Sequence, residues 1–180
     1  MAHPNTERLT EYWRAKAGHR AAPTRADIDP MEFVSILPQT LIVGRREAGD
    51  LPFRLVGGLI AHLHQRDLRG VNLLSLFAPA DRAALRLATE QIHRRPEPLL
   101  IEGDIRAEGV AAPVGLEMVL LPLADATGEI DRFLGHYQPI GMTARLVGRT
   151  VSELKLGNLS RSGEDGPRLR LAALDGRQIA

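Results

Sequence analysis

Six histidines, many arginines and no cysteine bound the chemistry open to this chain. Without thiols there is no thiolate metal site, iron–sulfur cluster, cysteine nucleophile or disulfide. His62 and His64 stand two apart, a spacing that shares no helical face, so they make a poor metal pair. No G-x-S-x-G elbow, phosphate-binding loop, HExxH or dinucleotide fingerprint is present. No nucleophile, base and orienting group can be assembled, so no catalytic residue and no metal ligand is assigned. Asp29 precedes Pro30 and stands three before Glu32, the pattern of a capping box with a proline start; Asp27 is expected to be solvated or paired with an arginine. Glu117 lies among apolar strand neighbours, and alternation turns it outward; the functional alternative is a carboxylate at a cavity rim paired with Arg54 or Arg132. Arg145 and Arg149 stand one helical turn apart, followed by Asn158, Ser160 and Gly163. Two such guanidinium forks can clamp phosphates and stack on a base, with the Asn/Ser/Gly turn offering donors.

These residues need elements to hold them. The chain has 180 residues, 44% hydrophobic and 25% charged, enough for one ordinary core without a disulfide or metal staple. Its 23 basic and 22 acidic residues leave a net charge of +1, which argues against a nucleic-acid field. The polar N-terminus lacks a secretory pattern, and apolar runs such as residues 116–123 are too short to insert in a membrane, so a cytoplasmic protein is expected. A helix is read over Asn5 to Ala17, then a short helix from the Asp29 cap to Leu37. Residues 40–46 and 52–58 read as a hairpin, and helical turns follow over 60–77. A long helix opens at Pro79 and Asp81, with Leu85, Ala88 and Ile92 as its apolar stripe. Strands over 99–109, 114–124 and 130–140, joined by hairpin-length turns, make the sheet antiparallel and the class α+β. Residues 143–180 carry no aromatic, seven basic and four acidic residues; 160–167 are flexible by composition, and 169–179 read as a strand or short helix.

The stretch over 62–88 resembles the middle of a PAS domain, with Leu68, Gly70, Leu73, Leu76, Phe77, Pro79, Asp81 and Arg82 at the matching places. The strand order around it, two before and three after, also resembles that family. More narrowly, Tyr12-Trp13, Asp27 to Pro30, Phe53 to Gly57, Glu117 to Leu123 and Arg132 to Gly135 resemble the pieces of a small, stand-alone proteobacterial PAS-like family. The resemblance covers residues 5–140. It implies a five-stranded antiparallel sheet with helices on its concave face, plus an N-terminal helix and a C-terminal tail. The implied division is an N-terminal helical cap over 1–37, a PAS-like sensor core over 38–142 and an accessory, partly flexible tail over 143–180.

For function, the resemblance implies a non-enzymatic regulatory module of bacterial signal transduction, acting on a protein partner and forming a homodimer. The sheet's hollow is read either as a filled core without ligand or as the site of a small ligand, with any cofactor unknown. By strand parity the hollow is lined by Leu55, Met118, Leu120, Phe133, Gly135 and Tyr137, with Ile92 from the long helix. Gly135 lets a ligand or side chain approach the backbone. Tyr12 and Trp13 are read as a dimer contact, the alternative being cover for the sheet edge. Some PAS domains hold haem through a helix histidine, so His93 or His136 gives a haem-binding alternative. Flavin–cysteine adducts and the cysteine-linked coumaroyl chromophore are excluded by composition. The Arg145/Arg149 and Asn158/Ser160/Gly163 pieces resemble the two signatures of PilZ domains, which implies a cyclic di-GMP receptor as a further alternative.

Overall fold

Proline at the first position of a helix costs nothing, because the N–H it lacks would have no partner there. Helix α1, Pro4–Ala17, starts in this way. The Asn5 N–H donates to His3 Nδ1 at 3.2 Å, and Gly18, at φ 57°, ends the helix. The computed structural model describes residues 2–161. A second proline start, at Pro30, opens a 3₁₀ helix over Pro30–Gln39, kinked at Phe33. Asp29 caps it as expected, its Oδ1 accepting the Met31 N–H at 2.9 Å. Glu32 does not complete a capping box; it bridges to Lys16 at 2.6 Å. The reciprocal box lies earlier instead, between Thr24 and Asp27, whose carboxylate also holds Arg20 at 2.9 Å.

Six strands form one antiparallel sheet: β1 Thr40–Gly44, β2 Phe53–Val56, β3 Leu99–Ala107, β4 Val114–Ala124, β5 Ile130–Ile140 and β6 Val151–Arg161, in the order β2-β1-β5-β4-β3-β6. The expected five are present, and β6 is an addition from the segment read as tail. Its alternation is interrupted by skipped residues at Ser152 and Gly157, which hide the period of two from a sequence reading. Residues 160–161 are strand, and the expectation for 169–179 lies outside the described residues.

Between β2 and β3 lie α2 Gly58–His64, two 3₁₀ turns over Leu73–Leu76 and Pro79–Asp81, and α3 Arg82–Arg94. The α3 stripe is the one expected: Leu85, Ala88 and Ile92 are buried. Directly paired residues of neighbouring strands share a face. One face therefore carries Leu41, Met118, Leu120, Phe133, Gly135 and Tyr137, and it meets α2 through His64. The opposite face carries Glu117, Val119, His136 and Gln138, and it meets α1. With both faces covered, β4 is buried at ten of its eleven positions, although the sheet is antiparallel. Among the described residues no helix is long and apolar enough to cross a membrane.

Candidate functional site

The inner face, beneath α2 and α3, holds six of the seven residues expected around a hollow. Ile92, Met118, Leu120, Phe133 and Tyr137 are fully buried there. Gly135 is filled from within the chain: a Cβ at this position would lie 2.6 Å from Leu41 Cδ1. The close approach that glycine permits is thus made by a side chain. Leu55 is the exception, 43% exposed and on the other face. Ile42 pairs with Leu55 but Val43 pairs with Phe53, so Arg54 is skipped. That slip reverses the parity of β2, and Phe53, fully buried, takes the inner position.

Two polar atoms on this face have no hydrogen-bond partner among the described residues. They are Tyr137 Oη, on β5, and His64 Nε2, on α2. The rings meet edge to face, with centroids 6.0 Å apart and planes at 82°. Tyr137 is completely buried and His64 is 4% exposed. Burial drives both toward the neutral form: His64 falls to about 4, helped by the Arg66 charge, and the Tyr137 phenol rises well above its usual range. An unpartnered polar atom in an apolar interior is costly. Two such atoms lie on facing elements here, Tyr137 Oη on β5 and His64 Nε2 on α2. His64 lies on the buried stripe of α2 with Ile60 and Leu63. That i, i+3, i+4 pattern is legible in the sequence. Behind it Gln65 adopts φ 46°, a left-handed conformation unusual for a residue other than glycine, so α2 ends abruptly under strain.

The other histidines lie elsewhere. His93 Nδ1 contacts the Ile130 carbonyl at 3.1 Å. His136 is buried on the α1 side of the sheet, its Nε2 3.3 Å from Gln138 Oε1, and burial lowers it to about 4. Neither stands at the His64–Tyr137 position. Gln138 Oε1 also accepts from Asn5 Nδ2 and Gln39 Nε2, each at 3.1 Å. Beside this cluster Glu117 is buried beneath the start of α1 instead of facing solvent. Its Oε1 accepts the His3 N–H at 2.8 Å, Arg132 pairs with Asp131, and Arg54 lies over Gly44.

Trp13 does not form an external contact surface. It is 5% exposed, and its Nε1 donates to the Pro122 carbonyl at 2.7 Å, fixing α1 to β4. Tyr12 packs edge-on against Phe33 at 5.1 Å, and its hydroxyl accepts the Asp29 N–H at 2.7 Å. Both aromatics are used inside the protomer, because the helix needs them to hold the sheet face and the following 3₁₀ helix.

Arg145 and Arg149 do face one surface cleft, of about 380 Å³, formed with the β3–β4 turn at Gly109–Ala112. Asn158 and Ser160 lie far along β6, paired with Glu102 and Leu100, and Asn158 Nδ2 donates to Glu102 Oε2 at 2.8 Å. Val151, next to the arginine pair in sequence, pairs with Ala107 at the opposite end of β3. The two pieces are therefore not brought together, and Gly163 lies outside the described residues.

Comparison with known proteins adds a family and no named relative. The family described as PAS domain matches residues 1–138. No curated protein matches the sequence. Among solved structures, a LOV protein of Rhodobacter sphaeroides is similar at 16% identity, over 64% of this chain and 70% of that one, with a TM-score of 0.46. The dark-state LOV domain of the blue-light photoreceptor Aureochrome1 is similar at 14% identity, over 67% of this chain and 91% of that one, with a TM-score of 0.47.

Proposed function

The chain belongs to the PAS-domain family, whose members are generally sensory rather than catalytic modules, and from that premise we propose that it is a non-enzymatic signalling sensor that takes a small uncharged ligand against His64 and Tyr137. The observation that carries this reading is the pair of buried, unpartnered atoms on facing elements of the inner face. A ligand that accepts from the Tyr137 hydroxyl and meets the His64 ring relieves both deficits at once. Charge on the ligand is disfavoured, because both protein groups are held neutral in an apolar interior. Entry requires α2 to lift, and this short helix, started at Gly58 and ended by the strained Gln65, is the segment built to do so. The ligand's effect is passed to a protein partner by change of surface. The partner is a signalling effector or a second copy of the chain, on a surface other than Tyr12 and Trp13.

Native mass spectrometry of the full chain purified from cells, followed by thermal-shift screening of neutral metabolites, tests the reading. The expected result is a co-purifying or stabilising compound whose effect is lost in both His64→Leu and Tyr137→Phe. Compounds that bind equally well to both variants would place the site elsewhere.

A further inference from the structure

Asp81 stands directly before α3, where an aspartate ordinarily accepts a free N–H of the first turn, yet its carboxylate makes no cap bond. It reaches to the sixth strand instead, and the Leu156 N–H donates to its Oδ2 at 2.9 Å. Strand alternation turns that N–H to the outer edge, and a bulge follows it. Asn158 pairs with Glu102 and Leu156 with Gly103, leaving Gly157 over. A Cβ at Gly103 would lie 2.0 Å from the Lys155 carbonyl oxygen, so the bulge depends on glycine at that point. Two residues earlier the Ala78 N–H donates to the Leu154 carbonyl at 2.9 Å, and Phe77 bridges Leu154 in parallel. The segment Phe77–Asp81 therefore covers the outer edge of β6, while the inner edge pairs with β3. Leu154 is fully buried, whereas Leu156 and Leu159 are only partly so. The family match ends at residue 138, before this strand begins.

We propose that β6 is a releasable output strand, latched by Asp81 and the Phe77–Ala78 backbone to the helical cover of the inner face. A shift of that cover withdraws the Asp81 carboxylate and the Ala78 donor together, frees β6, and uncovers the β3 edge over Leu99–Ala107 for another strand. The regulatory use of the latch rests on the sensory reading above; the latch itself acts in protein without ligand. Amide hydrogen exchange on the ligand-free full chain tests it, comparing wild type with Asp81→Ala and Asp81→Asn. In Asp81→Ala, exchange across residues 151–161 is expected to accelerate about tenfold, the effect of losing one charge-assisted bond, with β4 and β5 unchanged. Asp81→Asn keeps an acceptor oxygen and is expected to stay closer to wild type. Unchanged exchange in β6, or acceleration of β6 and β4–β5 in step, would overturn the latch, since β6 would then be an inseparable part of the core. Failure to find any ligand leaves this measurement intact, so the two proposals fail separately.

Discussion

Replacing Tyr137 by phenylalanine should make the ligand-free protein more stable. In most buried tyrosines this change removes a hydrogen bond and costs stability. Here the hydroxyl is completely buried with no partner among the described residues, so the substitution removes an unpaid desolvation cost and leaves the ring's packing in place. Relief of one unsatisfied buried polar group is worth about 1–3 kcal/mol. For a chain of this size each kcal/mol raises the melting temperature by roughly 2–4 °C. Tyr12 supplies the internal control, because its hydroxyl accepts the Asp29 N–H at 2.7 Å. Tyr12→Phe should therefore lower stability by about 1 kcal/mol. Both variants are measured by urea unfolding and calorimetry on the full chain, after removal of any co-purified compound. A Tyr137→Phe protein that melts at or below wild type refutes the reasoning: its hydroxyl would then be satisfied in solution, and the inner face would hold no unmet demand for a ligand. Stabilisation together with loss of ligand response is the expected pair of results, since a site kept ready for binding is kept at the expense of the empty fold.

Other outcomes follow from the same structure. Gly135→Ala should destabilise by about 1–3 kcal/mol, because its Cβ would meet Leu41 Cδ1 at 2.6 Å; adding Leu41→Ala should recover part of the loss, read as a coupling in a double-mutant cycle. Trp13→Ala should cost about 3–5 kcal/mol in unfolding experiments without changing oligomeric state in light scattering, because the indole is buried against its own sheet. His64 and His136 are both held near 4, below the ordinary histidine value of 6.5, so the unfolded chain binds more protons between those limits. Their contribution to stability is full above about pH 6.5, is lost as pH falls through about 4, and changes no further below that. A series of melting temperatures from pH 8 to 4 should show this fall, with a shallower slope in His136→Gln.

The strands and the long helix were legible because their signals are local. Leu85, Ala88 and Ile92 repeat at helical spacing, and the three long strands carry dense apolar runs between turn residues. Parity within β4 and β5 was legible for the same reason and brought Met118, Leu120, Phe133, Gly135 and Tyr137 to one face. It failed at Leu55, where the skipped Arg54 shifts the register, and β6 was hidden in the same way by the skips at Ser152 and Gly157. Bulges are settled by the partner strand, which a single segment does not display. Glu117 and Trp13 are buried because α1 returns to cover a face that alternation assigns to solvent. The burial of His64 follows from the spacing of Ile60, Leu63 and His64, but its contact with Tyr137, 73 positions away, is one no local pattern displays.

The His3 N–H bound to Glu117 makes the first turn of α1 an extension of the sheet rather than a loose end. Trp13 pins the same helix one strand position short of Leu123, so the helix is held at two points along β4. A probe attached at Ala2 would therefore act as a pointer fixed to the middle of the β-structure. Its orientation, followed by fluorescence anisotropy, would record tilting of the central strands without labelling the interior.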